Sequence, residues 1–429
     1  MAERVVDGLD AMFFDPGFKD RAYAVYAELR EHAPVVSETL PNGRTMWFVT
    51  RYDDALAVLR DYTRFANDPG SVYTQEQLEG IYAQMLAHLT EEQVARIREV
   101  DGVISHHLLG VDPPDHTRLR KLVSRSFTPK YVEEMRPRVQ QIADDLLDEI
   151  ERKMTADGAT AFDLIDEYAF PLPLTVIAEM LGVPMEMRDV FRVWSHAAVE
   201  FNPASMGDME LNQKLYEFIE YMRTLIADKR ANPGDDLVSS LVQVEEEGDR
   251  LSEEELLGLI FILIVAGHET TVKLIGNGML ALFEHPDQFD RLKADPSLVK
   301  PLVEEVLRFI GPVEHSLPRY TREDVEIAGT VIPKGSEVMV MLASADRDPS
   351  QFPDPDRFDI GRPEASRHLA FGKGIHACLG APLARIEGQV AFTSLLERFP
   401  NIRLAVPRED LRWRPGTLLR GLDKLPVAV

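Results

Sequence analysis

Apolar residues recur every three or four positions along most of this chain, and that period predicts a mainly helical protein. In residues 19–31 they fall at Ala22, Tyr26 and Leu29, with Ala33 just beyond, on one face of a helix. The same spacing predicts helices over 52–59, 75–89, 91–100, 129–153, 168–181, 185–199, 210–229 and 298–309. The longest pattern covers 252–285. Ser252 and Glu255 make a capping box at its start and Pro286 stops it. Between Leu256 and Ala266 it carries no charge, and a helix that is apolar all round is buried, so this one is expected to pass through the centre of the molecule.

The pattern becomes strand-like in a few short places. Residues 35–36 and 46–49 flank the turn signal Pro41-Asn42-Gly43 and predict a hairpin. Residues 325–327, 330–332 and 337–341 predict strands separated by Gly329 and by Pro333-Lys334-Gly335. Residues 348–363, rich in Pro and Asp, predict ordered coil, and 402–429 short strands or loops. The fold class is therefore α+β, mainly α with small β-sheets. A length of 429 residues is enough for a large core and on its own suggests two or three domains.

Charge narrows the partners. The formal net charge of −25 argues against nucleic acid, whose phosphates need basic stripes. The N-terminus lacks a basic region followed by an apolar stretch. The longest apolar run, 256–267, falls short of the roughly 20 residues that cross a bilayer. These features predict a cytoplasmic protein without a membrane anchor.

The chemistry centres on a single cysteine. Cys378 cannot form an intrachain disulfide and is too few for an iron–sulfur or thiolate zinc site. By count alone a lone cysteine reads as a small buried hydrophobe. Its setting favours a metal-bound thiolate: Gly372 and Gly374 precede it, Gly380 follows, and a helix is predicted from 381 to 398. Three other stretches each carry two readings. The helix that starts at Asp112-Pro113-Pro114-Asp115 holds His116, Arg118, Arg120, Lys121 and Arg125, as a solvated face or as the binding surface for an anion. Ala266-Gly267-His268-Glu269-Thr270-Thr271, in the long helix, is the end of a buried segment or a polar notch for water and proton relay. Glu305 and Arg308 are neighbours one turn apart, an ordinary surface pair or part of something larger. The long connection at 67–114 is a lid or a surface excursion.

Taken in order, these stretches resemble the bacterial, soluble cytochrome P450 family over nearly the whole chain. Phe371, Gly374, His376, Cys378 and Gly380 resemble its haem-binding loop, 266–271 its oxygen-activation motif, Glu305 to Arg308 its Glu-x-x-Arg motif, and Pro355-Asp356-Arg357-Phe358 the later arginine motif. The resemblance implies one P450 domain over 1–429, with β-containing parts at about 30–65 and 312–429 around a helical core and the long helix over haem. It implies haem b (iron protoporphyrin IX) held through Cys378, with Phe371, Gly372, Gly380, Ala266 and Gly267 around it and His116, Arg120, Arg319 and His376 on its propionates. It makes Thr270 and Glu269 the catalytic proton-handling pair and Glu305, Arg308 and Arg357 a buried structural network.

The implied reaction is insertion of one oxygen atom from O2 into a C–H bond, as hydroxylation or epoxidation. Electrons come from NAD(P)H through a ferredoxin and its reductase, docking on basic residues such as Arg118, Lys121, Arg125 and Lys373. Leu108, Leu109, Ile262, Val313, Leu317 and Leu418 suggest an apolar pocket for a terpenoid, polyketide or macrolide, steroid or fatty acid. The protein is expected to be monomeric. A peroxide-driven peroxygenase and a non-catalytic haem sensor are the rival readings, and the intact Glu269-Thr270 pair disfavours both.

Overall fold

The long uncharged pattern forms one unbroken helix, Glu253–Glu284, in a computed structural model that describes residues 12, 15, 17–39, 45–87, 89–104, 107–200, 208–244 and 249–429. The capping box is present: Glu255 N donates to Ser252 Oγ at 3.1 Å, and Ser252 N donates to Glu255 Oε2 at 2.8 Å. By length and composition this helix could cross a membrane, which the shorter run 256–267 did not suggest, but 67% of its most apolar window is buried inside the protein. The adjacent threonines leave the helix unbroken.

The chain divides into two units. The larger comprises Met1–Val72, Val139–Pro171 and Thr270–Val429. Its main sheet has five strands in the order Val35–Thr39, Thr45–Val49, Glu337–Val340, Arg319–Thr321, Phe65–Ala66. The predicted hairpin is its edge, with Val35 opposite Val49, and Met46 pairs in parallel with Glu337. The hairpin's turn, 41–43, lies outside the described residues. Strand alternation sorts the core into two layers. Val49, Val338 and Val340 pack with Tyr52, Ala55 and Val58, whereas Phe48 and Met339 pack with Phe18, Ala22, Tyr26 and Leu29 of the first helix, Phe18–His32. A second sheet joins Ala161–Asp163, Pro426–Ala428 and Arg403–Leu404, and a third is the Val325–Ile327 and Thr330–Ile332 hairpin. Gly329, at φ +80°, makes the turn of that hairpin.

The smaller unit, Tyr73–Arg138 with Leu172–Glu269, is helical. Asp208 and Asp236 cap the helices Met209–Ala231 and Leu237–Gln243 through their side chains. Trp194 stacks on Phe218 at 5.9 Å between ring centres, and Phe191 meets Phe218 edge-on at 5.7 Å. The single helix expected at 129–153 is two, Pro129–Glu134 and Arg136–Asp157. The reason is Pro137, which lacks an N–H and belongs in a first turn. The break expected at 201–207 lies outside the described residues.

Candidate active site

In the larger unit Cys378 sits three residues before the start of the helix Ala381–Arg398. Its backbone N–H donates to Phe371 O at 2.8 Å and closes the loop between them. Gly372 and Gly374 take φ of +64° and +78° to make that loop. At Gly374 glycine is required twice over, because a Cβ there would stand 2.5 Å from Leu59 O. Cys378 itself is exposed. A Cβ added at Gly380 would lie 3.9 Å from its sulfur, so the space next to the thiol is kept small-sided.

Phe371 is clamped from both sides. The Arg385 guanidinium lies 4.6 Å from its ring centre, and the His368 ring 5.5 Å away. Nitrogens of both groups meet Glu304, Arg385 Nε at 2.6 Å from Oε1 and His368 Nε2 at 3.3 Å from Oε2. Burial works to raise Glu304, but the hydrogen bonds from Arg385 and His368 outweigh it and hold the carboxyl at about 2. Arg385 is raised first by its hydrogen bond to Glu304, against burial, then by the charge of Glu304 and least by Cys378.

The Glu305–Arg308 pair is fully buried and larger than its spacing suggested. Arg308 Nε and Nη2 donate to both Glu305 oxygens at 2.7 and 2.8 Å. The second guanidinium on Glu305 belongs to Arg362, whose Nε lies 3.3 Å from Oε1. The expectation for Arg357 therefore needs correction. Its side chain is 64% exposed and reaches Asp359 at 3.8 Å. It is the carbonyl of Arg357 that enters the network, accepting from Arg308 at 3.2 Å and from Arg362 at 2.8 Å. Arg308 also donates to Asp346 O at 3.1 Å, and Asp346 Oδ1 accepts from Leu369 N at 2.6 Å. Gly372 N then donates to Leu369 O at 2.7 Å. The network is thus tied by three hydrogen bonds to the cysteine loop.

Arg319 is buried in its strand opposite Val338, and His376 is partly buried in the short turn Gly374–His376. Val313 bridges Leu419, and Glu314 N donates to Leu418 O at 2.8 Å, so Val313 and Leu418 come together; Leu317 is 40% exposed. Thr270 is half-buried on the long helix. Next to it Thr271 donates to Glu387 Oε2 at 3.2 Å. Burial pushes Glu387 up to about 8, with the Thr271 hydrogen bond pulling the other way.

In the smaller unit His116 is buried and Arg120 half-buried one turn along on the helix Asp115–Ser126. Burial and then Arg120 lower the His116 pKa, with Asp112 opposing, so a neutral imidazole faces a guanidinium. Arg118 points elsewhere: it pairs with Glu255 and lies 3.5 Å from Asp249. Lys121 and Arg125 are exposed. On the long helix Glu269 is buried and Ala266 exposed, and a Cβ at Gly267 would meet only Ile177, at 3.7 Å. Leu108 is buried; Leu109 and Ile262 are half-buried.

Arg362, Glu387 and the Glu304–Arg385–His368 group were not picked out from the sequence. Glu387 alone carries a signal there, a carboxylate amid the apolar Leu383, Ile386, Val390 and Ala391.

The residues around Cys378 suit a haem. Among the described residues no three His, Cys, Asp or Glu side chains converge to hold a metal ion. A metal on Cys378 must therefore bring its other ligands with it, as a porphyrin iron does. The exposed thiol and the glycine turn ahead of a helix N-terminus fit such a group.

A cytochrome P450 family profile matches residues 177–409. Cytochrome P450 107B1 of Saccharopolyspora erythraea is 46% identical, over 97% of this chain and 97% of its own length. The chain belongs to the cytochrome P450 family. The P450 monooxygenase PikC of Streptomyces venezuelae is also 46% identical, over 98% of this chain and 94% of PikC. The structure of the Bacillus subtilis P450 PksS, of the bacillaene polyketide synthase, superposes with a TM-score of 0.84 at 41% identity, covering 96% of this chain and 97% of PksS. This P450 is accordingly a monooxygenase with the P450 fold, using haem b and O2 with electrons from NAD(P)H through partner proteins.

Proposed function

We propose that this P450 oxidises a large, mainly apolar polyketide or macrolide at a C–H bond or double bond, with Cys378 as its iron ligand. The observation that carries the assignment of the ligand is the exposed Cys378 thiol, set in a glycine turn ahead of a helix N-terminus. Haem, when bound, supplies the site where O2 is held and reductively cleaved.

The chain's residues do the rest. The helix N-terminus favours thiolate over thiol, and the Phe371 ring, packed on Arg385, holds the end of the loop that Cys378 closes. His116 and Arg120, which share one helix, are donors suited to a propionate, as are Arg319 and His376. Thr270 holds a proton donor toward the oxygen side, and Glu269 passes protons to it from solvent. Ala266 and Gly267 keep the helix surface low there.

Support for the substrate class comes from named relatives. Besides PksS, these include 6-deoxyerythronolide B hydroxylase of S. erythraea at 42% identity and the mycinamicin IV hydroxylase/epoxidase of Micromonospora griseorubida at 41%. A vitamin D(3) 25-hydroxylase of Pseudonocardia autotrophica, 44% identical, makes sterols the comparison set. A ferredoxin docks on the exposed Lys121 and Arg125, with Arg118 committed to Glu255 and Asp249. The protein works as a cytoplasmic monomer, and both units form one functional domain.

Cys378→Ser tests the core of this reading. The reduced carbon monoxide complex should lose its red-shifted thiolate band and ferredoxin-driven turnover should stop; retention of the band in the serine variant rejects the ligand assignment. Spin-state titration with macrolactones, secosteroids and long-chain fatty acids tests the substrate class. Macrolactones should give the largest shift, and a larger shift with either other class rejects it.

A further inference from the structure

The first helix reaches a place where its sequence gives no hint of acting. Residues 413–422 form a hairpin: Trp413 bridges Leu422, and Arg414 N donates to Gly421 O at 2.9 Å. Gly416 turns it at φ +108°. The Lys19 ammonium, almost fully buried, donates to one carbonyl on each arm, Arg414 O at 2.8 Å and Leu419 O at 2.6 Å. Its own carbonyl accepts from Arg420 Nη2 at 3.0 Å. Arg420 Nε donates to Glu314 Oε1 at 2.5 Å, and Tyr26 Oη donates to Glu314 Oε2 at 3.0 Å. Lys19, Glu314 and Arg420 are therefore one buried cluster. It clamps the two segments that carry Val313 and Leu418, which are themselves joined by Glu314 N to Leu418 O.

Beside the clamp lies a cavity of about 120 Å³, lined among others by Phe18, Lys19, Tyr26, Glu314, Pro415 and Thr417. The hairpin tip is thus not fixed by close packing on this side; it has room to move if its carbonyls are released. Burial lowers Lys19 to about 8 against the pull of Glu314, with Arg420 and Lys273 adding to the lowering. The ammonium survives at neutral pH because carbonyls and a carboxylate surround it.

We propose that Lys19 is a positioning residue: by holding both arms of the 413–422 hairpin it sets where Leu418 stands in the substrate pocket, and so sets affinity for long substrates without touching them. This rests on the reading that Leu418 lines that pocket.

Lys19→Met in the holoenzyme is the test. It removes the donors and leaves Arg420 paired one-to-one with Glu314, so no buried charge is stranded. Amide exchange over 413–422 should accelerate about tenfold, and ferric-state affinity for N-dodecylimidazole should weaken about tenfold, the scale of one lost charge-assisted hydrogen bond. Affinity for imidazole, too short to reach the hairpin, and the reduced carbon monoxide band should not change. Lys19→Gln, with one amide donor group in place of the ammonium, should fall between. Equal weakening of imidazole, unchanged exchange, or failure of both variants to fold would each assign Lys19 to general stability and overturn the proposal. Leu418→Ala separates the two readings. If it leaves N-dodecylimidazole binding unchanged, the pocket reading is wrong and the proposal falls with it; if it alters binding and Lys19→Met does not, only the role of Lys19 falls.

Discussion

Glu305 and Glu387 lie in the same unit and are shut off from water to nearly the same degree, at 0% and 2% exposure. Glu305 receives two guanidinium groups, from Arg308 and Arg362, and the backbone N–H of Asp359 at 2.9 Å. Glu387 is met by the Thr271 hydroxyl at 3.2 Å. Desolvation of a carboxylate is the same penalty in both places. At Glu305 two guanidinium groups and a backbone amide donate to the carboxylate, and the cluster becomes a framework for the coil tied to the cysteine loop. At Glu387 one hydroxyl does not offset it, and the carboxyl is pushed up to about 8, which leaves it protonated at neutral pH. Burial alone thus says little about a carboxyl's role; the partners it meets decide whether it braces the fold as an anion or joins two helices as a neutral donor and acceptor.

The strongest way to break this contrast is Glu305→Ala. It strands Arg308 and Arg362 without their anion in the interior, which should reduce unfolding free energy by about 3–5 kcal/mol. Urea denaturation measures it. Because Arg308 connects through Asp346 and Leu369 to Gly372, the variant should also release haem more readily. A loss below about 1 kcal/mol would mean the cluster is no better than an exposed pair.

What could be read in advance followed distance along the chain. The capping box and the Glu305–Arg308 pair lie within one helical turn, where spacing dictates contact. The cysteine loop was legible for the same reason, since Cys378 N to Phe371 O spans seven residues whose glycines permit the turn. Arg362 meets Glu305 across 57 residues, Thr271 meets Glu387 across 116, and Lys19 meets Leu419 across 400. Periodicity carries no information about such pairings, because they depend on how the elements pack. Arg357 shows the same limit within a motif: its position in the chain was right for the network, but its backbone carbonyl rather than its side chain takes part.

Glu387→Gln sharpens the other half of the comparison. The folded-state pKa of about 8 stands above the ordinary 4.5, so between those values the folded protein keeps a proton that the unfolded chain has released. Stability must then fall as pH rises through this window, by at most about 1.4 kcal/mol per pH unit for the single proton. Glutamine keeps the shape and a hydrogen bond to Thr271 but cannot titrate. The difference in stability between wild type and Glu387→Gln should therefore grow in favour of glutamine from about pH 5 to about pH 8 and level off above. Parallel pH profiles would show that Glu387 is charged in the fold and that the contrast with Glu305 is false.

The smallest expected effect is the most direct check on how the Glu305 cluster is built. Arg357→Ala removes a guanidinium that is 64% exposed and 3.8 Å from Asp359, while leaving in place the carbonyl that Arg308 and Arg362 share. An exposed pair of that kind contributes about 0–1 kcal/mol, so the variant should stay close to wild type in urea and keep its haem spectrum. A loss comparable to that of Glu305→Ala would place the Arg357 side chain inside the network after all. In the structure three donors converge on Glu305 Oε1, from Arg308, Arg362 and the Asp359 amide, and among the described residues Arg308 Nε alone meets Oε2, so a further guanidinium would have to enter at Oε2.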